Sequence, residues 1–189
     1  MKFEIFKYSK VKSTNNIAIS LIKNKKKEFG CVFAKTQTKG RGTKGKKWIS
    51  KIGNLFTTIF FPLKKNYPPF HEFSIINPII ISKVIKKFCK KKISFKWPND
   101  ILIDDKKISG ILQEVVTFND KEFLIIGIGV NVISNPKIDN YNGATNILFE
   151  SKMKPRINEM IKLLINEYEI FFSNLNKYNF IKYKNKLMQ

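Results

Sequence analysis

The sequence predicts an α+β fold, a mixed β-sheet backed by helices. Short β-branched and apolar runs recur between tight-turn signals over residues 93–132, and segments with a helical apolar period lie toward each end of the chain. Phe3 to Tyr8 alternates and predicts a first strand. Ser13-Thr14-Asn15 then offers capping hydroxyls for a helix through Ile17, Ala18, Leu21 and Ile22. Cys31 to Lys35 predicts a strand that feeds a glycine-rich segment, and after a turn at Gly53-Asn54 the run Leu55 to Phe61 reads as a buried strand. Pro68-Pro69 opens a helical stretch past His71 to about Lys90, with a break or kink expected at Pro78. Ile93 to Trp97, Ile101 to Ile103 and Gly110 to Thr117 are three strands in quick succession. Asn119-Asp120 is a two-residue hairpin signal, returned by Phe123 to Val132.

From Ile133 to Asn142 the chain is rich in Asn and Pro and reads as loop. Ile157, Met160, Ile161, Leu164, Ile165, Tyr168, Phe171, Phe172 and Leu175 fall at helical spacing, a core-packing helix, and one further short helix precedes Gln189. No internal repeat is visible.

At 189 residues the chain suits one well-packed domain, and 17 phenylalanines supply ample material to bury. Lys plus Arg number 36 against 14 Asp plus Glu, a formal charge of +22, which raises a nucleic-acid-binding module as one hypothesis. Against it, the lysines are spread along the whole length, with no basic arm and no helix-turn-helix or zinc module. Such a field steers an acidic partner or an anionic nucleotide, and weakens with salt. Cys31 and Cys89 are far apart among apolar residues, which supports neither a disulfide scaffold nor a zinc site. The start Met1-Lys2-Phe3 is not a signal peptide and no apolar run is long enough to span a bilayer, so a cytoplasmic protein is expected.

Two segments carry chemistry. In Lys96-Trp97-Pro98-Asn99-Asp100, Pro98 ends a strand abruptly and leaves Asn99 and Asp100 at a tight corner. Lys96 precedes that corner, and Lys107 follows a second turn at Asp104-Asp105. Two cations near one sheet end suit an anionic ligand. The segment Gln37 to Trp48 carries Gly40, Gly42 and Gly45, whose free amides can form an anion-binding nest. Arg41 lies within it, one of only two arginines in this lysine-rich chain, as if a planar two-pronged donor were required there. Little in Gly40 to Lys47 is apolar, so this loop is expected to be mobile without ligand.

Seven segments in order resemble the biotin protein ligase family: Ser13-Thr14-Asn15, Gln37 to Trp48, Gly53-Asn54-Leu55, Lys96 to Asp100, Lys107 to Leu112, Gly127-Ile128-Gly129-Val130-Asn131 and Gly143-Ala144-Thr145. The resemblance implies a single catalytic domain over 1–189, with the biotin/lipoate ligase fold related to class II aminoacyl-tRNA synthetases. Neither an N-terminal DNA-binding module nor the small C-terminal β-barrel of many relatives is expected. It implies biotin and ATP as substrates, Mg²⁺ on the phosphates, and the biotin carboxyl carrier domain of an acetyl-CoA or related carboxylase as acceptor. A homodimer is possible through a sheet edge. It implies no specific DNA binding, no membrane association and no protein-borne metal site.

By matching position, Ser13, Thr14, Asn15 and Gln37 resemble the biotin pocket, although Ser13 and Thr14 equally suit a helix cap. Gly40, Arg41, Gly42 and Thr43 match the segment that wraps biotin carboxylate and phosphate. Trp48 resembles the tryptophan beside adenine, and Asn131 the adenine-reading asparagine. Lys107, with Gly110 permitting close approach, resembles the lysine at the biotin carboxyl and α-phosphate. Lys96, Asn99 and Asp100 are nucleotide or acceptor contacts, with Lys96 placed beside Arg41 and Lys107 in catalysis. One departure is Thr43, where the family usually has a second arginine that helps hold the adenylate. His71, the only histidine, is remote from every motif, so no histidine triad is supported. A lipoate or octanoyl ligase or transferase of the same superfamily, and a copy that binds without catalysing, are the remaining alternatives.

Overall fold

A computed structural model describes residues 1–137 and 142–188, so part of the expected loop Ile133 to Asn142 lies outside the described residues. In chain order the elements are β1 (Glu4–Val11), α1 (Thr14–Lys25), β2 (Gly30–Gln37), β3 (Leu55–Pro62), α2 (Phe73–Lys86), β4 (Ile93–Lys96), β5 (Asp100–Ile103), β6 (Lys106–Phe118), β7 (Lys121–Val130), α3 (Ile147–Ser151), α4 (Ile157–Ser173) and α5 (Phe180–Met188). The chain groups into two compact units, residues 2–67 with 111–129, and residues 68–110 with 130 onward.

In the first unit the hydrogen-bonded order is β1-β2-β3-β7-β6. β1 runs parallel to β2 and β2 antiparallel to β3, so the sheet is mixed. β3 lies in the middle of this order and all eight of its residues are buried, as its unbroken apolar and β-branched run requires. α1 lays Ala18, Leu21 and Ile22 on Val32, Phe60, Phe123 and Ile125. The turn between β6 and β7 holds Asn119 and Asp120 at φ 48° and 57°, left-handed geometry that short polar residues tolerate.

Cys31 is fully buried in β2 and its sulfur lies 3.2 Å from Thr57 Oγ1. Burial pushes its thiol up from 9.0 to about 11, against a smaller downward pull from the Thr57 bond. The folded thiol therefore keeps its proton where the unfolded one loses it. The Cys31 contribution to stability is expected to be constant below pH 9.0 and to fall as pH rises toward about 11, so Cys31→Ser should lessen the alkaline decline in pH-dependent urea unfolding, the raised tyrosines Tyr67, Tyr178 and Tyr183 accounting for part of the rest.

In the second unit β4, β5 and β6 pair antiparallel in that order. The Trp97–Pro98 peptide is cis at the β4–β5 corner, and Asp104 and Asp105 make the β5–β6 turn at φ 48° and 57°. α2 packs on α4, where Phe73 meets Phe171 edge-on at 6.2 Å. The expected break at Pro78 does not occur, since α2 runs through it. Proline there costs about 3 kcal/mol, whereas α2 buries Ile76, Ile79, Ile80, Ile81 and Ile85, each contributing about 1.5–3 kcal/mol. Between the two helices Tyr168 donates its hydroxyl to Asn77 Oδ1 at 2.9 Å, both residues being fully buried. Tyr168→Phe deprives Asn77 of that donor and should cost about 1–3 kcal/mol in urea denaturation. The helix expected through Leu175 ends at Ser173, and α3, too short to show a period, has no counterpart in the sequence reading. No helix among the described residues is long and apolar enough to cross a membrane.

Candidate active site

In the first unit the Ser13 motif, the glycine-rich segment and β7 come together. Ser13 stands at the α1 N-cap but its side chain makes no capping bond. Gln37, at the end of β2, does that work instead, its Oε1 accepting the Thr14 amide at 2.8 Å while its Nε2 donates to Ser50 Oγ at 3.1 Å. Thr14 and Asn15 are both buried at the helix start, and Thr58 of β3 sets its hydroxyl 2.8 Å from Thr14 Oγ1 and 2.6 Å from Asn15 Oδ1.

The glycine-rich segment folds back on itself. Trp48 donates its amide to Gly40 O at 2.9 Å and Gly42 to Lys46 O at 2.7 Å, with a short 3-10 turn at Thr43–Gly45 between them. A Cβ on Gly40 would stand 2.4 Å from the Trp48 carbonyl, so a side chain there would force the two limbs apart. The hairpin is anchored by polar contacts. Arg41 donates Nη1 to Glu114 Oε1 at 2.9 Å and Nη2 to Glu114 Oε2 at 2.6 Å, and Asn15 Nδ2 donates to the same Oε2 at 2.7 Å. Gly127 and Gly129, two apart on one face of β7, leave the space that Asn15 and Trp48 fill. A Cβ at Gly127 would lie 2.4 Å from Asn15 Oδ1, and one at Gly129 2.3 Å from the Trp48 ring.

In the second unit the motif residues cluster around Lys107. Lys96 pairs across to Asp100, and Asp100 to Gly110. Asp100 is buried and the Lys107 ammonium lies 2.7 Å from its Oδ1, so the charge of the lysine is held beside a carboxylate. The Lys107 backbone is clamped on the segment 143–145, its amide donating to Gly143 O at 3.1 Å and its carbonyl accepting the Thr145 amide at 2.9 Å. Asn131 is buried and spends its side-chain amide on Thr145 O at 3.0 Å and Lys107 O at 3.4 Å. Thr145 donates its hydroxyl to Glu150, which also accepts from Lys91. Burial alone would raise the Glu150 carboxyl, yet the bonds from Lys91 and Thr145 hold it below its ordinary value.

Three residues of these clusters escape sequence reading. Thr58 hides in an apolar strand, Glu114 meets Arg41 across 73 positions, and Glu150 sits outside every motif. The one available signal was Glu114 itself, a carboxylate in a strand of a chain with few acids. His71 is exposed in the 3-10 turn Phe70–Glu72, and Trp97 is exposed at the cis-proline corner. Among the described residues no group of three or more His, Cys, Asp and Glu is arranged to hold a metal.

The described fold is a mixed sheet backed by helices, with a glycine-rich hairpin that carries a paired arginine and a lysine clamped at a hairpin start. The chain belongs to the biotin/lipoate A/B protein ligase family, which it matches over residues 8–131. It is 33% identical over 124 residues to the bifunctional ligase/repressor BirA of Escherichia coli, covering 65% of this chain and 38% of that protein. To the biotin–[acetyl-CoA-carboxylase] ligase of Paracoccus denitrificans it is 28% identical over 108 residues, covering 56% and 45%. The alignments therefore span less than half the length of these relatives. Biotin protein ligase from Aquifex aeolicus, solved with biotin and ATP, superposes with a TM-score of 0.80 at 26% identity, covering 97% of this chain and 76% of that one. The Leishmania major enzyme, solved with biotinyl-5-AMP, gives 0.82 at 26% identity, covering 98% and 81%. The α+β fold expected from the sequence is the fold of these ligases.

Proposed function

We propose that this chain is a biotin protein ligase. It activates biotin with ATP and transfers it to a lysine of a biotin carboxyl carrier domain. A biotin carboxylate oxygen attacks the α-phosphorus and pyrophosphate leaves, giving biotinyl-5′-AMP. The acceptor amine then attacks the acyl carbon, AMP leaves with the bonding pair, and the amine loses a proton. Neither step needs an enzyme nucleophile. Both need anions held together and charge stabilised as it builds on oxygen.

The observation that carries this reading is the clamped, carboxylate-paired Lys107, a cation fixed in place by Asp100, Gly143 and Thr145. The family resemblance implies that Lys107 contacts the biotin carboxyl and α-phosphate. Thr14, Asn15 and Gln37 bind the biotin ring and Gly40 to Thr43 cover the carboxylate and phosphate. Trp48 lies by adenine. Asn131 serves adenine through its side-chain oxygen, since its amide hydrogens are spent on carbonyls and its backbone is bonded to Ile108 and Ile147. Lys96 and Asn99 contact nucleotide or acceptor. Mg²⁺ would be carried on the ATP phosphates and would neutralise their charge. The carboxylate of the Lys96 to Asp100 motif is paired with Lys107, and among the described residues no cluster of three or more His, Cys, Asp and Glu is arranged to hold the ion.

The +22 charge steers the nucleotide and an acidic carrier domain toward the protein, and a cytoplasmic location suits both substrates. The test is adenylate formation from labelled biotin, ATP and Mg²⁺. Biotinyl-AMP is expected, then label on a carrier domain. Adenylation of lipoate but not biotin would move the chain to the sister activity. Absence of any acyl-adenylate at saturating substrate would overturn the reading.

A further inference from the structure

Glu114 belongs to no motif discussed above, yet three donors converge on it. Its carboxylate accepts Arg41 Nη1 and Nη2 and Asn15 Nδ2. We propose that Glu114 is a positioning residue that locks the Arg41 hairpin to the start of α1, so that Thr14, Asn15 and Arg41 are set as one unit before any ligand arrives.

Proton counting supports the assignment. An ionised carboxylate only accepts, so the Asn15 amide must turn its NH₂ toward Glu114 and its Oδ1 toward Thr58 Oγ1, 2.6 Å away. Oδ1 also only accepts, which claims the single proton of Thr58. Thr14 Oγ1, 2.8 Å from Thr58 Oγ1, must then supply its own proton to Thr58. Thr14 Oγ1 also lies 3.1 Å from Gln37 Oε1, but its one proton is claimed by Thr58, and the Thr14 amide serves that oxygen at 2.8 Å. The result is a one-way chain, Thr14 to Thr58 to Asn15 to Glu114, closed from the other side by Arg41.

Glu114 sets the direction of every bond in that chain. Replacing one of its oxygens with NH₂ puts a donor against Arg41 or against Asn15, and either leaves a clash or flips the Asn15 amide. Asn15 fits close against β7 in the space that Gly127 leaves, where a Cβ would lie 2.4 Å from its Oδ1. The guanidinium anchors the hairpin through a fork that uses both carboxylate oxygens, beside the packing of Trp48 against Gly129.

The lock itself follows from geometry, whereas its catalytic consequence rests on the ligase reading, and two measurements separate them. In ligand-free protein, hydrogen exchange at the Gly42 and Trp48 amides, both bonded across the hairpin, should accelerate about tenfold in Glu114→Gln relative to wild type. In adenylation with saturating ATP, Glu114→Gln should raise KM for biotin about tenfold. Its loss should also fail to multiply with that of Arg41→Ala, the double variant matching the worse single one. Unchanged exchange, or losses that multiply, overturns the proposal. Adenylation absent from the wild-type protein would sink the ligase reading, and exchange alone would then decide the lock. If Glu114→Gln does not fold, Glu114→Asp, which withdraws the charge by one methylene, carries the same two criteria.

Discussion

Lys107→Ala is expected to abolish most adenylation and to destabilise the fold at the same time. Removing a donor that stabilises developing charge on the transferring phosphoryl and acyl oxygens costs about 10²–10³-fold in kcat. The second loss comes from Asp100. Its side chain is 7% exposed and lies 2.7 Å from the Lys107 ammonium, so the alanine variant strands a carboxylate in a nearly dry place. Breaking a fully buried pair from one side costs about 3–5 kcal/mol. Lys107 keeps 21% of its side chain in water, which puts the expectation near or below the bottom of that range. The double change Asp100→Asn with Lys107→Ala removes the stranded charge. It should recover most of the stability in urea unfolding while adenylation stays lost. If activity returns with stability, Lys107 acts only as a strut for Asp100 and the assignment of its role fails.

Gly129→Ala is expected to separate nucleotide binding from biotin binding. The added methyl would lie 2.3 Å from the Trp48 ring, a contact that no real Cβ sustains, so the ring or the strand must move. Overpacking of this kind costs about 1–3 kcal/mol, and if Trp48 lies beside adenine the KM for ATP should rise about tenfold or more. Gly127→Ala makes the matching intrusion at Asn15 Oδ1, 2.4 Å away, and should raise the KM for biotin instead. Two alanines on one strand face would thus give opposite kinetic signatures. An unchanged ATP KM in a folded Gly129→Ala protein would remove Trp48 from the nucleotide site.

Much of the fold is legible from local rules. Turn chemistry at Asp104-Asp105 and Asn119-Asp120 places both hairpins, and the run Leu55 to Phe61 reads directly as a buried strand. Pro78 misled because its local cost is overridden by isoleucine burial on α2, a tertiary term with no local signature. Ser13 misled in a similar way, since the capping acceptor comes from Gln37, 23 positions beyond Thr14, and not from the residue the pattern favours. The glycines of β7 were visible as a motif, but which side chains fill the space they leave depends on register and packing. The single arginine in the glycine-rich segment was conspicuous as a rarity. Its carboxylate partner Glu114 stands out only as a rare acid in a strand, and which cation it meets 73 positions away is set by the fold and not by local pattern.

Both cysteines of the chain are buried, Cys31 in β2 and Cys89 just after α2. A thiol placed at exposed Lys44, on the tip of the hairpin, would therefore be the reactive one under native conditions. A fluorophore could be attached there in a single step, without first stripping the protein of its natural sulfhydryls, and opening of the hairpin followed in real time.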